Sequence, residues 1–144
     1  MAVQLFDVIH SVDSRRLAED LEHHMTTQDQ KKSLPVFIQV NVSGEATKHG
    51  CRPEDTPALA HVVRQTSRLT FAGLMMIPPL TTHPEDARPY FRRLRELRNA
   101  VATTCDIPPT GLQLSMGMSH DFEIAIEEGA DRIRVGTAIF GGRG

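Results

Sequence analysis

No tryptophan occurs in the 144 residues, tyrosine occurs once, and aromatic residues make up 5% of the chain. A surface that stacks unpaired bases needs more than that. Sixteen Lys and Arg against 18 Asp and Glu leave a formal charge of -2, so no global positive field gathers nucleic acid or an anionic membrane surface. Any anion bound here is held locally. The two cysteines, Cys51 and Cys105, form neither a CxxC pair nor a Cys/His cluster, which argues against a disulfide framework and a zinc site. Seven histidines are present, yet no HExxH spacing occurs, and the neighbours His23 and His24 cannot share a helix face. No apolar run approaches the roughly 20 residues that span a bilayer. The opening MAVQLFDVIHSVD is too short and too acidic for a secretory signal. The expectation is a cytoplasmic protein with no membrane and no nucleic-acid partner.

What is present is the composition of one globular unit, 40% hydrophobic and 24% charged. Short β-branched runs alternate with longer helical patterns, the mark of parallel βα units. Five strands are predicted: Phe6 to Val12, Val36 to Val42, Phe71 to Ile77, Gly111 to Met116 and Arg132 to Phe140. Four helices lie between them. The first follows an Asp13-Ser14 cap and turns Leu17, Ala18 and Leu21 inward. The second starts at Thr56-Pro57, Thr56 serving as the cap, buries Leu59, Val62 and Val63, and ends near Arg68. The third starts at Pro84 and repeats Ala87, Phe91, Leu94, Leu97 and Val101 at helical spacing. The fourth runs from Ser119 to Glu128 and is closed by Gly129. On the third helix Arg88, Arg92, Arg95 and Arg98 read as a solvated face, and Met75, Met76, Met116 and Met118 as flexible core filling. By pattern alone a barrel and an open doubly wound sheet fit equally well. A whole barrel needs eight strands and typically about 250 residues, which leaves the open five-stranded sheet as the natural alternative.

Two segments stand at carboxyl ends of predicted strands, where both architectures place ligands. In Leu114-Ser115-Met116-Gly117-Met118-Ser119-His120-Asp121 a strand runs through a glycine turn into a helix start, which points backbone N–H groups and a helix dipole at one spot. An ordinary cap at Ser119 explains the same pattern, and Asp121 would compete for that dipole unless its carboxylate faces outward. In Arg132 to Gly141, Gly136 allows a ligand close to the backbone and Thr137 adds a hydroxyl, although a strand needing a small residue for packing is the plainer account. Arg134 alternates with Ile133 and Val135 and points to the opposite face, which in a barrel is the interior. A buried arginine requires an acceptor. His10 and His120 lie near strand ends and read more readily as exposed polar positions.

The stretch LSMGMSHDFEIAIEEGADRIRVGTAIFG resembles the carboxy-terminal signature of the pyridoxal-phosphate homeostasis proteins, a family similar in fold to the amino-terminal domain of alanine racemase. The likeness extends back through FAGLMMIPP, VFIQVNVSGEATKHG and VIHSVDSRRLAEDL. It implies an α/β fold, a partial (β/α)8 TIM barrel of the type III pyridoxal-phosphate class, in which residues 1–144 supply about strands four to eight and strands one to three are absent. It further implies a non-enzymatic protein that binds pyridoxal 5'-phosphate and serves its intracellular homeostasis, with apo pyridoxal-phosphate-dependent enzymes as recipients. By that resemblance Ser115, Met118, Ser119, Gly136 and Thr137 hold the phosphate, and Arg134 faces the pyridine nitrogen. The family's Schiff-base lysine lies on the first barrel strand, before anything in this sequence. Of the lysines here, Lys31 and Lys32 sit in a polar linker, and Lys48, in a loop at a strand's carboxyl end, is the one candidate substitute if that loop folds over the site, a plain surface lysine being the commoner explanation. Racemase-like catalysis needs that lysine and a tyrosine acid, and Tyr90 falls within the long helix. A fragment that binds no ligand and self-associates through its open barrel edges is the remaining alternative.

Overall fold

The computed structural model describes residues 7–27, 32–45 and 49–141. Five strands, β1 (Ile9–Val12), β2 (Leu34–Gln39), β3 (Leu69–Met75), β4 (Gln113–Met118) and β5 (Arg132–Arg134), form one sheet in the order β1-β2-β3-β4-β5. All four pairings are parallel. The helices are α1 (Arg15–Thr27), α2 (Thr56–Gln65), α3 (Arg88–Thr104), α4 (Phe122–Glu127) and α5 (Thr137–Phe140).

A sheet whose strands follow one another in chain order has no switch point, and right-handed crossovers then put every connecting helix on the same side. The apolar faces of the first three helices, with Ala18 and Leu21, Leu59 and Val63, and Phe91, Leu94 and Val101, pack on that side. They meet Val36, Ile38, Leu74, Met76, Leu114 and Met116 from the strands in one buried core. The other face of the sheet curls in on itself. His10 of β1 reaches Ser115 of β4 at 2.9 Å, although three strand spacings of a flat sheet would separate those strands by about 14 Å. Two short side chains cannot bridge that gap. The sheet is therefore part of a (β/α)8 barrel, and the open doubly wound alternative does not hold.

Local chemistry sets the boundaries, some of them away from the predicted ones. Ser14 caps α1, its Oγ accepting the Leu17 N–H at 3.1 Å. Pro35 lies inside β2 rather than before it. Leu34 N–H bonds across to Arg68 O on the β3 side, so the Pro35 nitrogen points toward β1, whose pairing begins only at Val36. Thr56 is not a cap: a 3-10 turn over Pro53–Asp55 precedes it, and Thr56 is buried as the first residue of α2, its hydroxyl donating to Arg52 O at 3.1 Å.

The last predicted strand is the largest difference. β5 ends at Arg134, and Thr137–Phe140 forms a helical turn bracketed by Gly136 and by Gly141 at φ 80°. A four-residue apolar run between glycines carries no periodicity that separates strand from helix. Ile139 and Phe140 are left exposed, Phe140 at 85%.

Candidate functional site

Above the carboxyl ends of β3, β4 and β5 lies a cleft of about 480 Å³. Its walls are the loop Ile77 to Thr81, the turn Met118 to Asp121, and Arg134 with Gly136 and Thr137. Both segments singled out in the sequence therefore meet in one place.

The turn after β4 owes its shape to Gly117. Its φ is +100°, and a Cβ there would stand 2.6 Å from the Ala125 Cβ and 3.2 Å from the Phe122 Cα. Without a side chain the strand presses onto α4 and turns at once. Asp121 locks the turn: its carboxylate accepts the Met118 N–H at 2.8 Å, and its own N–H donates to Met118 O at 3.1 Å. Asp121 is buried and faces inward, the opposite of the outward orientation that the sequence argument required. It also takes up the Met118 N–H that had been assigned to an anion. Ser119 is not the helix cap, since α4 begins at Phe122. Its hydroxyl accepts the Gly136 N–H at 2.9 Å and so ties the two loops together.

Gly136 differs from Gly117 in kind. A Cβ at Gly136 would meet nothing within 4 Å, and its φ is -123°. Among the described residues no packing demands a glycine there. The space beside it is open to the cleft, and Thr137 begins α5, where the first N–H groups have no intrahelical acceptor.

Arg134 forms the floor. Its Nη1 donates to Ser115 Oγ at 2.6 Å and its Nη2 to Met76 O at 2.8 Å, while Nε is buried without a hydrogen-bond partner. Burial pulls the guanidinium below its ordinary pKa, and the Asp121 carboxylate partly offsets this. A buried donor without an acceptor costs free energy until something accepts from it. Ser115 is fully buried, and its hydroxyl lies between Arg134 and the Nδ1 of His10 rather than in the open cleft. His10 itself stacks on Phe37 with ring centroids 4.3 Å apart. The sequence argument passed it over as a polar surface position; its alternation with Ile9 in a four-residue strand was too short a signal.

Three other expectations change. Arg88, Arg92 and Arg95 do not form a solvated face but converge on Glu128, whose side chain is 5% exposed. Arg98 reaches Leu112 O at 3.0 Å. Of the four methionines, Met75, Met76 and Met116 fill buried space, and Met118 is partly exposed in the cleft wall. Lys31 and Lys48 lie outside the described residues, and Lys32 is exposed. Among the described residues no group of His, Cys, Asp and Glu could hold a metal ion, and no helix is long and apolar enough to cross a membrane.

Curled parallel strands, loops gathered around a cleft at their carboxyl ends, a buried arginine with an orphaned donor and a glycine facing empty space define part of a βα barrel with a ligand-sized cleft. The residues fit a ligand that carries an acceptor toward Arg134 and an oxyanion beside Gly136 and Thr137. The chain belongs to the alanine racemase N-terminal domain family, whose model matches residues 1–144. It is similar to the pyridoxal phosphate homeostasis protein of Aquifex aeolicus, 44% identical over 136 residues that make up 94% of this chain and 58% of that protein. The protein of the same name in Pseudomonas aeruginosa is 45% identical over 141 residues, or 96% of this chain and 56% of its own length. The chain thus spans a little over half the length of these relatives. The structure of PipY of Synechococcus elongatus with pyridoxal phosphate bound superposes with a TM-score of 0.82 at 35% identity, over 97% of this chain and 63% of that one. The same protein without the cofactor gives 0.85 at 36% identity, over 97% and 64%.

Proposed function

We propose that this chain is the pyridoxal 5'-phosphate-holding part of a cofactor homeostasis protein, its five strands standing for strands four to eight of the barrel. One observation carries the reading: Arg134 offers a buried Nε–H that nothing among the described residues accepts, in the same cleft as a glycine whose missing side chain faces open space. The relatives named for pyridoxal phosphate homeostasis support it.

The phosphate is assigned to Ser119, Gly136 and Thr137. Ser115 and Met118 belong to the same site in supporting roles, Ser115 under Arg134 and Met118 in the turn that Asp121 locks. Arg134 is assigned to the pyridine nitrogen. When bound, pyridoxal phosphate supplies an aldehyde and an electron-withdrawing ring; a permanently charged guanidinium keeps the ring nitrogen unprotonated and weakens that withdrawal. Turnover is correspondingly not expected. Tyr90, the chain's one tyrosine, sits on α3 beneath the Arg93 guanidinium, 5.6 Å from its ring centre, and not in the cleft wall. Apo pyridoxal-phosphate-dependent enzymes in the cytoplasm are the proposed recipients. Self-association follows from the sheet: β1 and β5 each pair with one neighbour, so two edges stand open among the described residues. Sedimentation velocity should show it as a mass that rises with concentration, and a concentration-independent monomer removes that part of the reading.

Calorimetric titration of the full chain with inorganic phosphate, with pyridoxal phosphate in parallel, tests the assignment. Thr137→Val and Ser119→Ala should each weaken both ligands about tenfold, the effect of one lost hydrogen bond to an anion. Arg134→Met should weaken pyridoxal phosphate and leave inorganic phosphate unchanged. Phosphate binding that ignores Thr137 and Ser119 would overturn the reading.

A further inference from the structure

Beneath the cleft a chain of hydrogen bonds crosses the barrel interior from β5 to β1. Its directions are fixed by chemistry. An arginine only donates, so Arg134 Nη1–H gives to Ser115 Oγ, at 2.6 Å. The Ser115 hydroxyl has one proton, and the partner on its other side is His10 Nδ1 at 2.9 Å. Ser115 is 0% exposed, so bulk solvent does not take that proton. Donated to His10, it makes Nδ1 the acceptor and His10 a neutral imidazole carrying its hydrogen on Nε2.

We propose that His10 is a positioning residue of this site: it accepts the Ser115 proton, orients the Ser115 lone pair toward Arg134, and so holds the Arg134 guanidinium in place at the cleft floor. The inference rests on the pyridoxal phosphate reading and adds to it a control by pH. A proton on Nδ1 would turn His10 into a second donor toward Ser115. The serine hydrogen would be stranded in a buried position, and a third positive charge would join Arg132 and Arg134. Those two arginines of β5 are the charged groups facing His10 among the described residues; Phe37 of β2 and Ser115 of β4 are uncharged, and the Asp121 carboxylate acts on Arg134. Burial first, then Arg132 and Arg134, already hold the His10 pKa below 6.5. The neutral form is thus the resting one at neutral pH, and acidification loosens Arg134.

The test uses His10→Phe, which keeps a ring against Phe37 and removes the acceptor, beside Ser115→Ala and the double variant. In the chain without ligand, nitrogen NMR of wild type should show His10 Nδ1 unprotonated and a slowly exchanging Arg134 Nε–H; either substitution should speed that exchange. With pyridoxal phosphate, each single variant should lose about tenfold in affinity, and the double variant no more than either. The ratio of wild-type to His10→Phe affinity should hold at neutral pH and fall toward one only as pH is taken well below 6.5, since the ligand's own phosphate titration is common to both. Additive losses, a flat ratio, or an Arg134 signal indifferent to both substitutions would overturn the proposal. Failure of wild type to bind pyridoxal phosphate, with the His10-dependent Arg134 signal intact, would overturn the cofactor reading and leave the positioning role standing.

Discussion

Two glycines in the site have opposite reasons to be glycine, and they separate folding from binding. Gly117 has φ +100° and a neighbouring Ala125 Cβ 2.6 Å from where its own Cβ would be. Gly117→Ala should therefore cost about 2–3 kcal/mol through strain and overpacking, read as a lower midpoint in urea denaturation. Gly136→Ala meets no protein atom within 4 Å and should leave stability within about 0.5 kcal/mol, while lowering pyridoxal phosphate affinity because the added methyl enters the ligand's space. Equal loss of stability in both variants would contradict this division. At this scale the sequence disclosed part of the site. Gly136, Thr137 and Arg134 line the cleft at the end of a strand that the sequence pointed to, although a small residue needed for packing was the plainer account of Gly136, and their ligand roles belong to the proposal. His10 and Asp121 were not legible, because their roles come from contacts to Ser115 and Met118 across a curl and a turn that no local pattern encodes.

The elements that carry the site are held by charge as well as by apolar packing. α4 is two turns long at most, too short to persist by propensity, yet it anchors the turn that lines the cleft. Its carboxyl end is fixed by Glu128, which takes Arg88 at 3.1 Å, Arg92 at 2.9 Å and Arg95 at 3.1 Å. Glu128 is buried but its three arginines reach solvent, so Glu128→Gln, which loses several charge-assisted hydrogen bonds without stranding a buried charge, should cost about 1–2 kcal/mol. Glu127, 58% exposed and bonded to Arg88 alone, should lose less than about 1 kcal/mol on the same change. Burial by itself raises the Glu128 carboxyl, but hydrogen bonds from Arg92 and Arg88 and the charges of Arg92 and Arg95 bring it below its ordinary 4.5. A carboxyl lowered in the folded state stabilises above that ordinary value and loses its contribution as pH falls through the lower one. The Glu128→Gln deficit should hence be full above pH 4.5 and shrink in acid; a deficit that grows in acid would contradict the arrangement. The sequence showed four arginines at helical spacing and could not show that Arg88, Arg92 and Arg95 share an acceptor, Glu128, at the end of a helix more than 30 residues later. Element order survived prediction better than element ends, since alternating βα patterns are long-range and strong while ends depend on single caps such as Ser14 or on glycines such as Gly136 and Gly141.

For the molecule as a whole, strand order decides the architecture. Strand pattern had left the barrel and the open sheet undivided, and strand count had made the open sheet the natural alternative; the run β1-β2-β3-β4-β5 and the contact between His10 and Ser115 decide for the barrel. A curled sheet with helices on one side has an interior, and this one lines it with polar side chains that converge under a cleft at the strands' carboxyl ends. The central claim is that this cleft holds pyridoxal phosphate through Arg134 and the loops after β4 and β5. An absorbance titration of the purified full chain with pyridoxal phosphate, with inorganic phosphate as competitor and peptide mapping after borohydride, tests it most directly. A saturable spectral change that phosphate reverses is predicted, with any trapped lysine mapping to Lys48; a spectrum that stays the sum of free protein and free ligand at every concentration would contradict the account.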